Sequence, residues 1–511
     1  LSNCTTFLDV NKRFGDKKAL IFPCEDRYYT YAEMLNSVCR FANLLSSFGI
    51  SKGDRVCIYL PVTPEYLLFY FAIWRLGAVA VPLNIALCES EVLYMLDNSG
   101  AAGIITNESG EKVAEGACSA TLSRIRVFVT GNTKWERSLS GMPGYIRSVD
   151  CSPDDLCHLQ YTSGTTGRQK GAMLTHGNWM AALNAECDLL GLCPEDVYLG
   201  IYPMAHVGVS WGISALKAGA TWIIMDKFDL ESYIELTDRF NATVVAGMPP
   251  VIHSLLKTEE GTEDKFSSAR EMISGGGPLH PSVWSDFFRR FKVPVINAYG
   301  LSETIVVGTG TAIRPEDYRS ADKFRSVGRP VGFTEMKIVD TNDPSVEISG
   351  EGIGEIALRG PAVAKGYWKM SEETGKVFLP EGWFLTGDIG YISDDGMLSI
   401  TDRKKDMIVM SGWKIYPTEV EKVLIEHPDV DDVAIFGCSD IHMGEIPVAA
   451  VVPVTGRNID KDSLIEFCKK RLIKYKVPRE FIILDELPRV NGWKLLRREL
   501  REKYCTEQIV P

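Results

Sequence analysis

The stretch YTSGTTGRQKG (161–171) concentrates groups that bind phosphate. Gly164 and Gly167 allow tight turns that aim backbone N–H groups at an anion. Thr162, Ser163, Thr165 and Thr166 add hydroxyl donors, and Lys170 adds a point charge. The spacing is not that of a Walker A loop, in which lysine follows glycine directly and precedes Ser or Thr. A Ser/Gly-rich surface loop is the plain alternative. The apolar LCHLQY before the stretch and AMLTH after it frame the loop with two strand-forming segments, which favours the phosphate reading.

Other stretches hold single groups with chemical potential. NGWKLLRREL (491–500) sets Lys494 between Trp493 and the pair Arg497–Arg498, as a basic surface patch or as a lysine that does chemistry. NAYGLSET (297–304) offers the Glu303 carboxylate, a hard ligand of the kind Mg²⁺ takes, or a solvated carboxylate at a helix start. Tyr299 presents an aromatic face, and SGGGPLHP (274–281) has three glycines that let backbone approach a planar base. Asp388 ends TGD as an acceptor pair suited to two hydroxyls, or as a turn residue. His206 in PMAHVGVSW stands alone among apolar residues, where a core histidine is the commoner outcome.

Taken in order, YTSGTTGRQKG, NAYGLSET, GWFLTGDIG (382–390), DRKKDMIVMSGWKIYPTEVE (402–421) and LPRVNGWKLLRREL (487–500) resemble the motifs of the adenylate-forming superfamily of acyl-CoA synthetases, luciferases and peptide-synthetase adenylation domains. The resemblance spans nearly the whole chain. It implies an AMP-forming acyl-CoA synthetase with ATP, Mg²⁺ and CoA. A carboxylate attacks the α-phosphorus, pyrophosphate leaves, and the acyl-adenylate meets the CoA thiol. By this resemblance Thr162, Ser163, Gly164, Thr165, Thr166, Gly167 and Lys170 bind the β- and γ-phosphates, and Glu303 with Thr166 holds the metal. Thr304 touches the α-phosphate. Gly276, Gly277, Pro278 and Tyr299 flank adenine, with Asn297, Ala298 and Gly300 in the same nucleotide segment. Asp388 takes the ribose hydroxyls with Arg403 as its partner.

The same resemblance puts His206 near the substrate carboxylate, for orientation or gating. It puts Val207, Trp211, Gly247, Met248, Gly300 and Leu301 on the acyl-pocket wall, although each also suits plain core packing. Lys405 matches a hinge, Gly412 the pantetheine tunnel, and Trp413, Lys414 and Lys474 the CoA surface. Lys494 matches the lysine that binds carboxylate and α-phosphate oxygens during adenylation. Two departures stand out: Arg168-Gln169 precedes Lys170 where a proline is common, and Trp493 replaces the usual glycine before Lys494. The tryptophan either restricts the lysine loop or packs against the larger domain. No Arg or Lys falls within the wall segments, so a monocarboxylic acid is expected: aromatic, alicyclic or short-to-medium aliphatic. A carrier-protein-loading or amide-forming enzyme, a luciferase-like oxygenase and a silent adenylate sensor are the competing readings. The sensor would have lost Lys494 or Glu303, and both are present.

These groups need a scaffold. RVCIYL (55–60), AVAVPL (78–83), AAGIIT (101–106), TWIIMD (221–226), ATVVAGMPP (242–250) and VPVINAYG (293–300) read as buried strands, mostly separated by helical stretches. TPEYLLFYFAIWRLG reads as a helix with Thr63 at its N-cap, Pro64 in its first turn and Gly77 as its stop. Strand–helix alternation predicts an α/β fold with parallel sheets covered on both faces. After about residue 325 the texture turns Gly-rich with turn signals such as DDG, which suits an antiparallel barrel-like module. Five charges over 402–406 suit a hinge, and the remainder reads as a small α+β domain. The expected architecture is a large domain over 1–402, built on two doubly wound, mostly parallel sheets plus the barrel-like part. A hinge follows at 403–405, then a mobile domain over 406–511 carrying Lys494.

Composition agrees with a globular enzyme. The chain has 511 residues, 45% of them hydrophobic and 24% charged, with a net charge of -12 that argues against a nucleic-acid surface. The longest apolar run, YLLFYFAIW, is too short to cross a bilayer, and no signal-peptide pattern follows Leu1. A cytoplasmic, non-integral protein is expected, and a homodimer is compatible with the resemblance. The 13 cysteines lack zinc-type spacing, so reduced thiols with no disulfide framework are expected.

Overall fold

The computed structural model describes residues 4, 6–162, 169–277, 279–314, 316–317, 326–457, 459–490 and 494–505, without the side chains of Phe7, Val490 and Lys494. Two compact units emerge: 1–336 with 358–384, and 337–357 with 385–511.

The first unit is built on two sheets. One has nine strands in the edge-to-edge order Arg329–Pro330, Val306–Ala312, Val295–Leu301, Glu271–Gly275, Val244–Ala246, Val197–Gly200, Thr221–Ile224, Lys18–Phe22, Arg27–Thr30. Its interior, from Lys18–Phe22 to Val295–Leu301, is parallel, and antiparallel strands close both ends. The other has six strands in the order Arg126–Thr130, Gly103–Asn107, Arg55–Leu60, Val79–Asn84, Leu156–Thr162, Lys170–Thr175. It is parallel up to its last pair, an antiparallel hairpin. Continuous apolar strands such as RVCIYL are buried because helices cover both faces of a parallel sheet.

The helix Pro64–Arg75 is buried on every side, so it is a core helix and not an amphipathic surface one. Thr63 occupies its N-cap position but makes no side-chain cap bond, while Pro64 sits at N1. Gly77 ends the helix in a left-handed conformation (φ +66°) that favours glycine. Tyr31–Ser47 starts with a full capping box: Glu33 N donates to Thr30 Oγ1, and Thr30 N donates to Glu33 Oε2. No helix among the described residues is long and apolar enough to cross a membrane.

The Gly-rich stretch forms a four-stranded sheet in the order Glu335–Val339, Gly354–Arg359, Phe384–Ile392, Leu398–Arg403, most of it in the second unit. The rest of that unit is α+β. Strands Val430–Asp440 and Gly444–Pro453 form a long antiparallel pair, and the second edge of Gly444–Pro453 takes Ile408–Met410, itself paired with Trp413–Ile415, at its start and Glu480–Ile483 along Val448–Val451. Helices Pro417–Leu424 and Lys461–Lys469 bury Val420, Leu424, Leu464 and Cys468 in its core. The expectation of wholly reduced thiols is corrected here. Cys438 on a core strand and Cys505, just past the helix Arg497–Tyr504, form a disulfide. Spacing could not reveal it, because the fold joins cysteines 67 residues apart.

Candidate active site

In open α/β sheets, ligands gather beyond the carboxyl ends of the parallel strands. Four adjacent strands lead into candidate residues there. Val197–Gly200 precedes His206, Val244–Ala246 precedes Gly247 and Met248, Glu271–Gly275 precedes Gly276 and Gly277, and Val295–Leu301 contains Asn297, Ala298, Tyr299, Gly300 and Leu301. The register pairs Ser274 with Asn297 and Gly275 with Ala298, which brings the glycine segment level with the NAYG segment. Gly276 is exposed with φ +78°, and a Cβ there would meet nothing within 4 Å. Val207, Trp211 and Gly247 are buried, whereas Met248, Gly300 and Leu301 are partly exposed. His206 is exposed at the head of the Val207–Val209 turn, where its Nδ1 accepts from Gly208 N (3.2 Å).

The phosphate-type loop closes a hairpin, with Thr162 opposite Lys170 at its mouth. Ser163, Gly164, Thr165, Thr166 and Gly167 lie outside the described residues, as does Pro278. Lys170 Nζ donates to Glu373 Oε2 (2.8 Å) and sits 5.1 Å from the centroid of the Tyr367 ring. The Tyr367 hydroxyl donates to Glu303 Oε1 (2.8 Å). Backbone bonds hold this arrangement. Ala364 N donates to Glu303 O and Trp368 N to Gly171 O, each 2.8 Å, and Ala172 bridges to Tyr367. One short segment, 363–374, therefore ties the phosphate-loop lysine to the candidate metal ligand. The Lys170 and Lys376 ammonium groups lower the Glu373 carboxyl to about 2, while burial pushes the Tyr367 phenol well up, with Glu303 adding to that rise.

The backbone around Glu303 is unusual. Ile305 (φ 49°) and Val306 (φ 51°) are β-branched residues held in the left-handed region, a conformation such residues rarely adopt and one that concentrates at functional sites. Gly300 faces the same turn, and a Cβ there would lie 1.7 Å from Val306 O, so no other residue fits. Thr304 is fully buried, and its hydroxyl bonds within its own loop, accepting from Leu301 N (2.9 Å) and donating to Val306 O (2.9 Å). Behind the wall residues lies a buried carboxyl. Glu186 on the helix His176–Leu190 accepts from Ser210 (2.5 Å) and Ser214 (2.7 Å) on the helix that carries Trp211. Burial raises Glu186 to about 8 against the opposing pull of the two hydroxyls.

The second unit carries its own set. Asp388 and Arg403 face each other across adjacent strands, with Arg403 Nε 2.7 Å from Asp388 Oδ1. Lys405 lies in the turn after Arg403, where Asp406 N donates to Arg403 O (3.0 Å). Ser411 and Gly412 (φ 48° and 84°) make a tight hairpin turn of the kind that needs positive φ at both central positions. Trp413, 58% exposed, stacks on Tyr475 (5.0 Å, 23°), next to exposed Lys474. Lys414 instead donates to Thr341 Oγ1 (2.6 Å). Lys494 begins a two-residue strand paired with Val490; its side chain, Gly492 and Trp493 lie outside the described residues. Three residues later Arg497 makes a two-pronged pair with Glu421 (2.7 and 2.8 Å) and donates to Ile435 O (3.1 Å), while Arg501 binds Asp406 (2.9 Å).

Comparison with known proteins decides what this constellation is. The model of the AMP-binding enzyme family matches residues 7–368, and that of the AMP-binding enzyme C-terminal domain matches residues 419–492. The chain belongs to the AMP-binding enzyme family. This AMP-binding enzyme is 35% identical over 486 residues to a feruloyl-CoA synthase of Amycolatopsis sp, covering 93% of this chain and 94% of that one. It is 32% identical over 490 residues to a long-chain-fatty-acid–CoA ligase of Mycobacterium tuberculosis, covering 95% of each. It superposes on the ATP-bound MatB of Rhodopseudomonas palustris with a TM-score of 0.91 at 29% identity, covering 98% of this chain and 99% of that chain. The AMP-binding enzyme is an AMP-forming acyl-CoA synthetase, an ATP-dependent acid–thiol ligase whose substrates are a carboxylic acid, ATP and CoA.

Tyr367 and Glu373 of this AMP-binding enzyme escaped the sequence reading. They lie in AKGYWKMSEETGK, where the only sequence signals are glycine content and an ordinary run of charge. The polar contacts of their side chains with Glu303 and Lys170 span 64 and 203 residues, beyond the reach of any local pattern. Glu186 escaped for the same reason, since on a helix it reads as a surface carboxylate.

Proposed function

We propose that the enzyme activates a monocarboxylic acid, aromatic, alicyclic or short-to-medium aliphatic, as its acyl-adenylate and passes the acyl group to CoA. The cluster that links Lys170, Glu373, Tyr367 and Glu303 supports the reading, because it brings a lysine ammonium near a buried carboxylate, the two kinds of group that a triphosphate and its metal need. In this reading the N–H groups and hydroxyls of Thr162–Gly167, together with Lys170, neutralise the β- and γ-phosphates. The oxygens of Glu303 and Thr166 suit Mg²⁺, which would offset charge on the departing pyrophosphate. Glu303 fits that role: it is nearly buried, and its Oε1 is oriented by the Tyr367 hydroxyl. Thr304 takes part through its backbone position, since its hydroxyl is already spent on its own turn.

Tyr299, Asn297, Ala298, Gly300 and the segment Gly276–Pro278 hold adenine; Asp388 steadied by Arg403 holds the ribose; His206 orients the acid. Val207, Trp211, Gly247, Met248 and Leu301 form the acyl wall, and the lack of Arg or Lys among them disfavours a second carboxylate. Lys494 neutralises charge at the attacked phosphorus. Alternation about Lys405 then exchanges Lys494 for the Gly412 turn, with Trp413, Lys414 and Lys474 meeting CoA. The functional division therefore falls at 403–405, with 1–402 and 406–511 as the exchanging parts. Relatives named as CoA ligases favour CoA over a carrier protein or an amine as acceptor. We place the enzyme in the cytoplasm on the supply of ATP and CoA, and a homodimer is the assembly to check by light scattering.

The test is pyrophosphate and AMP release across an acid panel, with and without CoA. CoA-dependent thioester formation from monocarboxylates supports the proposal. Turnover confined to dicarboxylates or amino acids removes the substrate class, and nucleotide binding without turnover removes the enzyme reading.

A further inference from the structure

A second cluster of reactive side chains lies in the first unit, at the far end of the hairpin that carries the phosphate loop. Cys157 is the second residue of the strand Leu156–Thr162, and His176 follows the strand Lys170–Thr175 as the first residue of the next helix. Thr162 and Lys170 pair at the loop end of this hairpin, whereas Leu156 and Thr175 pair at its base. Cys4 reaches the base from before the first helix. Its backbone N–H points at His176 Nδ1 (3.4 Å), and its thiol at His176 O (3.7 Å). Two sulfurs and one imidazole nitrogen, from Cys4, Cys157 and His176, lie within 4.8 Å of one another, and all three residues are buried.

Two further observations single the cluster out. His176 Nε2 is buried and makes no hydrogen bond of good geometry among the described residues, a cost that native structures rarely carry without a reason. A third thiol, Cys151, is also buried and interacts with the same ring, from outside the group of three whose ligand atoms lie within 4.8 Å. The segment that carries it is anchored to the helix start: His176 N donates to Asp155 O (3.1 Å) and Gly177 N to Pro153 O (2.7 Å). Three cysteines and a histidine are the donor set of a closed structural zinc site. The fold assembles them from positions 4, 151, 157 and 176, so no sequence spacing announces the site.

The geometry points to a Zn²⁺ site formed by Cys4, Cys151, Cys157 and His176, which staples the chain's early residues to the base of the phosphate-loop hairpin. Each thiol gives up its proton on ligation, so three protons leave as one Zn²⁺ enters, and the histidine binds as a neutral ring. Tetrahedral zinc with bonds of about 2.0–2.3 Å needs ligand atoms about 3.5–3.8 Å apart, so the atoms of Cys4, Cys157 and His176 close by up to about 1 Å around the ion and Cys151 moves in to complete the set. Cys4 lies in a turn outside any helix or strand, so the shift breaks no helical or ladder bond. Ligation through Nε2 shifts the ring proton to Nδ1, and the long Cys4 N–H contact is then given up. Zinc here would take no part in catalysis; it would set the stiffness of the hairpin that presents Lys170.

The test is metal content. Tag-free full-length protein, kept reduced and saturated with Zn²⁺, is dialysed against a weak chelator and its zinc measured by mass spectrometry. The expected result is close to one zinc per chain, with Cys4→Ser and Cys157→Ser each retaining about tenfold less. Cys24→Ser, at an exposed thiol elsewhere, should retain the wild-type amount. Co²⁺ in place of zinc should give the intense visible absorption of tetrahedral thiolate coordination in wild type and lose it in Cys4→Ser. If Cys157→Ser fails to fold, Cys4→Ser reads the same site. Wild-type protein that holds less than about a tenth of an equivalent overturns the site, as does zinc retained by both serine variants. A metal-free protein whose mass shows a disulfide between Cys4 and Cys157 also overturns it.

Discussion

Two sets of paired charges, one in each unit, are built to opposite ends. In the first unit Lys170 pairs with Glu373, whose side chain is a third exposed, and a single contact holds the two together. In the second unit Arg497, as half-buried as Lys170, is locked by two contacts to a half-buried Glu421, with Asp406 close by and Ile435 O as a further acceptor. A single contact to a carboxylate that is a third exposed holds its lysine loosely, and under the proposed function a phosphate displaces Glu373. A half-buried two-pronged pair is costly to break from one side, so the helix that follows Lys494 stays fixed to its own unit. Under the proposed function the contrast teaches where mobility belongs: in the side chain that would let go of one anion to take another, and not in the helix that follows Lys494.

The largest effect should come from breaking the locked pair. Arg497→Ala leaves the half-buried Glu421 carboxylate with the Ile435 N–H in place of its cation, and should cost about 2–3 kcal/mol of stability in the second unit. Urea unfolding monitored by hydrogen exchange over 406–505 checks this; a loss below about 1 kcal/mol would put Arg497 among ordinary surface pairs. A buried carboxyl without a cation extends the comparison. Glu186 keeps its proton in the fold up to about 8, whereas the unfolded chain releases it near its ordinary value of 4.5, so its contribution falls as pH rises through that window. Relative to Glu186→Gln, the wild type should lose up to about 1.4 kcal/mol of stability per pH unit between about pH 5 and 8. A difference that stays flat with pH contradicts a protonated Glu186.

Smaller effects should come from the releasable cluster. Tyr367→Phe removes one hydrogen bond to the candidate metal ligand and should lower the pyrophosphate-forming rate by roughly tenfold, with the Mg²⁺ dependence shifted to higher concentration. Unchanged Mg²⁺ dependence would detach Tyr367 from the metal. Glu373→Gln removes the anion that competes for Lys170, and should lower KM for ATP by roughly two- to fivefold with kcat little changed. A rise in KM would mean that Glu373 helps to place Lys170 for the nucleotide.

Local pattern made much of the scaffold legible. RVCIYL is a strand over the same residues, 55–60, and Pro64 and Gly77 bound the helix between them because each acts through its own backbone. The late domain was legible because its helices and strands each carry their own period. The Lys170–Tyr367–Glu303 cluster was not, because it depends on a segment crossing the hairpin that only tertiary pairing creates. The left-handed Ile305 and Val306 were hidden for a related reason: β-branched residues argue against that conformation, and only the surrounding loop imposes it. Of the motif residues, Gly300 shows most plainly why its type is fixed, since Val306 O fills the place of a side chain.

The central claim is that one acyl-adenylate is made with Lys494 and consumed without it. Single-turnover assays of Lys494→Ala test this most directly, with pyrophosphate release measured from acid and ATP, and thioester formation measured from supplied acyl-adenylate and CoA. The account predicts a loss of about 10²–10³-fold in the first step and a near wild-type second step. Equal loss in both steps, or no loss in either, would contradict it.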